Sequence, residues 1–282
     1  MLFFILPGLL MTWGLASLLI HPGDSSPPDN GEGTKVTTDL GDEDDFFEGN
    51  AADDTVISNG GDDEIYGYRG ADVIALGDGD DIGHGGSGTD VIYGADGNDF
   101  LDGGSNDDRL FGGDGDDATF IPATDTTDAI YGDERGNDFI RGGAGNDALY
   151  DGAGSNTIYG DSGNDIVDTV DFDTSAGKVD FAYGGTGDDD LYIDDGDTAE
   201  GGDGADIFGV IYDVGDDPVT IVDYIKADGD MLFIQHADAD TATVTATEAD
   251  GNTTILVDGV AIMNLTGVTG FDTADVSLVV PT

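Results

Sequence analysis

From Phe47 to Phe208, single large apolar residues stand in a polar, glycine-rich background at an interval of nine. The series is Phe47, Val56, Ile65, Ile74, Ile92, Leu101 and Leu110, then, on a looser beat, Ile130, Ile140, Leu149, Ile158, Val167, Leu191 and Phe208. Gly83, Thr119 and Ala182 hold the same phase as weak members. In extended backbone neighbouring side chains face opposite ways, so Ile92 turns inward while Val91 and Tyr93 turn outward. One core residue per unit is therefore enough. The preceding half-unit, Gly85 to Asp90, is dense in glycine and suits a tight turn. Two units make one coil of 18 residues, stacking Ile65, Gly83 and Leu101 on one sheet and Ile74, Ile92 and Leu110 on the other. The predicted fold class is all-β: a right-handed parallel β-roll, a two-sheet solenoid.

The flanks follow other patterns. Residues 1–20 carry no charge and have the length of a bilayer-spanning helix, about 20 residues. They read as a membrane anchor or uncleaved export signal, with a cleaved signal peptide and a soluble apolar tail as the competing readings. Residues 21–40 are rich in Pro, Gly, Ser and Asp, as in a flexible linker. The repeat occupies 41–209. Residues 210–282 lose it and alternate instead, with Asp250-Gly251 between two such stretches as a hairpin signal. They predict a small antiparallel β-rich cap over the last coil, and a possible secretion region.

Charge changes the picture. The chain has 62 acidic against 7 basic residues, a formal net charge of -55, and no cysteine. Nucleic acid and anionic membrane surfaces are excluded as partners by the sign of the field; membrane contact is left to residues 1–20. The acid is periodic. Aspartate recurs at 45, 54, 63, 72, 81, 90, 99, 108 and 117, and then at 128, 138, 147, 165, 180, 189 and 206, with Asn156 in the same phase. Each lies two residues before a core position, so stacking the coils makes two columns of carboxylates. Columns at roughly strand spacing, about 4.8 Å, repel unless a cation lies among them. Calcium fits best, because it takes six to eight oxygens in flexible geometry. With no cysteine and only His21, His84 and His236, softer metals have little to bind.

The units "GGSGTDVIY" (85–93), "GGDGDDATF" (112–120), "GGAGNDALY" (142–150), "GDSGNDIVD" (160–168), "GGTGDDDLY" (184–192) and "GGDGADIFG" (201–209) resemble the RTX, or hemolysin-type, calcium-binding nonapeptide repeat G-G-x-G-x-D-x-U-x. In that family the aspartate is a calcium ligand and backbone oxygens of the glycine turn supply much of the rest. Carried onto this chain, the resemblance nominates Asp90, Asp117, Asp147, Asp165, Asp189 and Asp206 first, and Asp63, Asp72, Asp81, Asp99, Asp108 and Asp138 from imperfect units. Multiple calcium ions follow. So does an extracellular location, secreted or anchored through residues 1–20.

Departures from the repeat carry their own expectations. Asn156 brings only a neutral amide oxygen, which weakens its site. Thr198 falls on the ligand beat and Glu200 on the core beat, so the coil is irregular there. The units "LGDEDDFFE" (40–48) and "GNAADDTVI" (49–57) keep the period with few glycines and suit a metal-poor starting cap. Extra residues before Asp128 and Asp180 are read as loops. Tyr66, Tyr93, Tyr131, Tyr150, Tyr159, Tyr183 and Tyr192 close their units and form outer rows, either as cross-strand packing or as a surface for an extracellular polysaccharide or surface protein. His84 reads as a surface residue. No nucleophile elbow, zinc-protease helix or phosphate loop is present, and no region is left for a catalytic domain, so an enzyme is not expected. The functional expectation is a calcium-binding, extracellular or surface-tethered structural protein whose repeats fold on binding the ion. The alternative is a calcium-dependent adhesion or carbohydrate-binding module.

Overall fold

The computed structural model describes residues 34–121, 136–151, 154–170, 179–212, 217–236 and 241–280. The chain winds between two facing sheets, one short strand in each per half-coil. Among the described residues the first sheet has 13 strands and the second 11, with alternate strands of the chain going to alternate sheets. In the first, Val56 pairs with Ile74, Ile74 with Ile92 and Ile92 with Leu110. In the second, Ile65 pairs with Gly83 and Gly83 with Leu101. All these pairings are parallel, and the stacked residues lie on the same inner row.

That row is the core. Val56, Ile65, Ile74, Ile92, Leu101, Leu110, Ile140, Leu149, Ile158, Val167, Ala182, Leu191 and Phe208 are all buried. Phe47 at the start is only partly covered. Gly83 leaves a gap, and Leu76 fills it from the neighbouring strand: a Cβ on Gly83 would lie 3.1 Å from Leu76 Cδ1 and 3.1 Å from Ile92 Cγ2. The turns need glycine for a different reason. Gly88 has φ +139°, and a Cβ there would meet the Gly70 carbonyl oxygen of the coil before.

One sequence expectation is corrected by the register. Leu110 pairs directly with Ile140 and Thr119 with Leu149; the beat at Asp128 and Ile130 lies outside the described residues. The coil after Asp180 is one residue short. Asp180 N–H donates to Asp197 Oδ1 across 17 residues, Ala199 faces Ala182, and Thr198 and Glu200 flank it outward. Asp197 and Ala199, not Thr198 and Glu200, hold the ligand and core phases. Counting in nines cannot register a deletion absorbed by a turn.

Parallel stacking continues past residue 209, through Val219–Ile221 in the first sheet and through Met231–Gln235 and Val276–Val279 in the second. Among the described residues antiparallel pairing is confined to Val244–Ala249, Asn252–Val257 and Val260–Leu265, which join the first sheet through Val219–Ile221. Asp250, with φ +52°, and Gly251 make the expected hairpin turn. Among the described residues no helix is long and apolar enough to cross a membrane. Residues 1–20, on which the anchor expectation rests, lie outside them.

Candidate metal centre

From Asp54 on, each aspartate of the beat among the described residues sits at the mouth of a strand, where the turn hands the chain to the next sheet. Its Oδ1 accepts the backbone N–H of the matching residue one coil earlier: Asp72 from Asp54 at 2.6 Å, Asp90 from Asp72 at 2.7 Å, Asp108 from Asp90 at 2.7 Å, and Asp138 from Asp108 at 2.6 Å. The opposite column runs the same way through Asp63, Asp81, Asp99, Asp117, Asp147, Asp165, Asp189 and Asp206. All twelve nominated carboxylates are at most 3% exposed.

The second oxygen is the informative one. Oδ2 of Asp63, Asp72, Asp81, Asp90, Asp99, Asp108, Asp117, Asp138, Asp147, Asp165 and Asp189 is buried and accepts no hydrogen bond. Buried acceptors are nearly always satisfied. Beside most of them lies a glycine with ordinary φ whose missing Cβ leaves room. A Cβ on Gly85 would come within 2.5 Å of Asp90 Oδ2 and 2.6 Å of the Gly103 carbonyl oxygen, and one on Gly67 within 2.4 Å of Asp72 Oδ2 and 2.6 Å of Gly85 O. Gly94, Gly103, Gly112, Gly142, Gly160, Gly184 and Gly201 stand in the same relation to Asp99, Asp108, Asp117, Asp147, Asp165, Asp189 and Asp206. A carboxylate oxygen and, at most rungs, a carbonyl oxygen converge on a space that only glycine leaves open. This is the donor set of a hard cation, and calcium fits it.

Three nominated residues lack that glycine. Ser58 and Leu76 replace it five residues before Asp63 and Asp81, and the corresponding place before Asp138 is Asp133, outside the described residues; the Ser58 hydroxyl donates to the Leu76 carbonyl at 2.8 Å. At the ends of the columns protein donors reach the second oxygen. Asp54 Oδ2 accepts from the Asn50 backbone at 3.1 Å and side chain at 3.0 Å. Asp197 Oδ2 accepts from Thr169 and Asp194, and Asp230 Oδ2 from Ile225 N–H. Among the described residues no three acidic or histidine side chains are grouped so as to hold a metal ion by themselves; each rung offers mainly one carboxylate with carbonyl groups.

Burial raises the carboxyl pKa values along the columns, offset in part by the donated N–H and reinforced at most rungs by neighbouring carboxylates. Asp72, Asp99 and Asp147 rise to about 7. Asp81, Asp90, Asp117, Asp165, Asp189 and Asp206 rise to about 6. Asp108, beside Asp138, Asp90 and Asp102, rises to about 9. Each group thus holds a proton more tightly than an exposed carboxylate does, as a site lacking its counter-charge should.

Sequence reasoning missed a second ladder. One residue before the buried aspartates, the side chains of Asp44, Asp62, Asp80, Asn98, Asp116, Asn146 and Asn164 lie exposed and accept the backbone N–H of the next coil, at 2.8 to 3.1 Å. The Asp-Asp and Asn-Asp pairs were the signal. One member binds backward and the other forward, so the turns of this column are stitched to both neighbours.

Comparison with known proteins agrees with this geometry. Residues 40–74, 48–83, 84–118 and 134–167 match the RTX calcium-binding nonapeptide repeat. Residues 40–118 and 134–167 thus carry RTX-type calcium-binding nonapeptide repeats, folded as a parallel β-roll. The crystal structure of the extracellular lipase LipA from Serratia marcescens is similar at 14% identity and TM-score 0.22, over 88% of this chain and 39% of that one. This chain therefore spans well under half of that lipase's length, and nothing about its activity follows. No curated protein matches.

Proposed function

We propose that this protein is a calcium-folded structural element of the extracellular space or cell surface, and not a catalyst. The observation that carries this is the contrast along the carboxylate columns. Terminal members Asp54, Asp197 and Asp230 have their second oxygen satisfied by the protein, whereas Asp72, Asp90, Asp99, Asp108, Asp117, Asp147, Asp165 and Asp189 between them face glycine-lined space with that oxygen bare. The nine rungs with a glycine cradle are the best supported sites: Asp72, Asp90, Asp99, Asp108, Asp117, Asp147, Asp165, Asp189 and Asp206. Bound calcium supplies the positive charge that lets these carboxylates stay ionised inside the turns. Residues 41–209 then form the calcium-dependent body, residues 210–282 close its end, and residues 1–20 serve as anchor or export signal. Repeats of this family are typically secreted, and sites built of carboxylates and carbonyls suit calcium at roughly 10⁻⁴ to 10⁻³ M, as outside cells.

The adhesion reading gains less support. Tyr93 stacks on Phe111 at 5.0 Å and 9°, and Tyr159 on Tyr183 at 4.5 Å and 5°. Rings that stack on one another turn edges, not faces, to a sugar. His84 likewise lies flat on Tyr66 at 4.6 Å and reaches Asp102 at 3.1 Å.

Because the ligands assemble only when coils stack, binding free energy is folding free energy. Circular dichroism of the full chain should show a weak β signal in EGTA and a cooperative gain on titration with calcium. An unchanged β signal after complete chelation would refute the reading.

A further inference from the structure

The coil that carries Asn156 departs from the repeat at two positions. Asparagine takes the ligand place, and five residues earlier Asp151 takes the place of the unit's first glycine. In the regular units a Cβ at that place would lie 2.1 to 2.7 Å from the ligand's Oδ2. A side chain there grows directly into the cradle. Asp151 ends the strand Ala148–Asp151 and is 1% exposed. Asp138, one coil earlier in the same column as Asn156, is 3% exposed, and its carboxylate is in hydrogen-bonding contact with that of Asp151. Asp138 Oδ1 takes the Asp108 N–H, and Oδ2 receives no donor. Asn156 is fully buried, and its Oδ1 accepts the Asp138 N–H at 2.9 Å.

We propose that Asp138, Asp151 and Asn156 form a calcium site of a different make from the glycine cradles, in which Asp151 restores the charge that Asn156 lacks. The proposal rests on the calcium reading of the roll. Two buried carboxylates in contact repel when both are ionised, and a hard cation between them turns the interaction attractive. Calcium accepts carboxylate and amide oxygens together. In a regular unit the carboxylate comes from the sixth position and the first is left empty; here the carboxylate has moved to the first position and the neutral amide stands at the sixth. On this proposal asparagine at 156 marks an exchanged site, where that residue taken alone leads one to expect a weakened one.

Native mass spectrometry of the full chain in saturating calcium counts the ions. Asp151→Asn, nearly isosteric and neutral, is expected to hold one ion fewer than the parent. The double exchange Asp151→Gly with Asn156→Asp writes a regular unit and is expected to hold the parent's number. Asp151→Asn with an undiminished count overturns the proposal, and so does a double exchange that gains an ion, since the parent coil would then have been vacant. Should Asp151→Asn fail to reach the parental β signal, the double exchange decides alone. Failure of the underlying reading looks different: the parent itself then holds no calcium.

Discussion

At Gly94 the backbone has no need of glycine, since its φ lies outside the left-handed region. What glycine supplies is space: an added Cβ would sit 2.1 Å from Asp99 Oδ2 and 2.6 Å from the Gly112 carbonyl oxygen. Gly94→Ala is therefore expected to remove one ion from the count and to raise the calcium needed at the folding midpoint. Gly251 is the converse case, with φ +84° and nothing within 4 Å of an added Cβ. Gly251→Ala should cost about 1 kcal/mol of backbone strain and leave the calcium count unchanged. Equal loss of calcium by both variants would show that the glycines serve the chain's path and not a bound ion. Core residues divide in a similar way. Leu76 is fully buried in front of Gly83, so Leu76→Ala should lose roughly 2 to 5 kcal/mol in urea unfolding at saturating calcium. Leu76→Gly combined with Gly83→Ile returns the side chain to its usual place and should recover most of that loss; no recovery would mean that Leu76 does not act by filling this gap.

At the level of the repeating strand and turn, the sequence was most legible where one residue does one job. The aliphatic beat and the aspartate beat each map singly onto a buried row, and both were readable without a structure. Work shared between positions was not. Leu76 covers for Gly83 from a glycine place, Asp151 sits opposite the usual side of its unit, and Asp197 is displaced by a one-residue deletion, so each looks irregular to a count of nine. Asp230 was missed because its unit keeps the carboxylate, which accepts the Asp206 N–H at 3.1 Å, but not the glycine pattern. The stacked turns also set a pH dependence. Without metal the folded carboxyls titrate at about 6 to 7 at most rungs, against about 3.9 in an unfolded chain. Raised folded values mean that the folded state binds more protons, so stability is greatest below the unfolded value and falls as pH rises through the folded ones. In EGTA the roll should hold more β structure at about pH 5 than at about pH 8. Saturating calcium should invert this order, because protons then compete with the ion. Metal-free protein that is more stable at the higher pH would contradict the burial of these groups.

The whole molecule carries -55 formal charges on 282 residues, and two effects oppose its folding without metal: diffuse repulsion among surface carboxylates, and the bare oxygens inside the turns. They respond differently to salt. At about 1 M monovalent salt the screening length shrinks to about 3 Å, which largely removes the first effect. It does nothing for Asp90 Oδ2 or Asp99 Oδ2, which are buried and need an ion that sheds water to accept carboxylate and carbonyl oxygens together. Sodium chloride in EGTA should therefore compact the unfolded chain, seen as a smaller radius in X-ray scattering, without restoring the β signal. Calcium at about a thousandth of that concentration should restore both. Magnesium, which demands a tight octahedron and gives up water reluctantly, should fall well short of calcium at equal concentration. Recovery of the full β signal by sodium chloride alone would mean that surface repulsion is the only barrier and that the cradles bind nothing. Compaction by salt without order, followed by order on adding calcium, would separate the two effects and assign the second to the columns of buried aspartate.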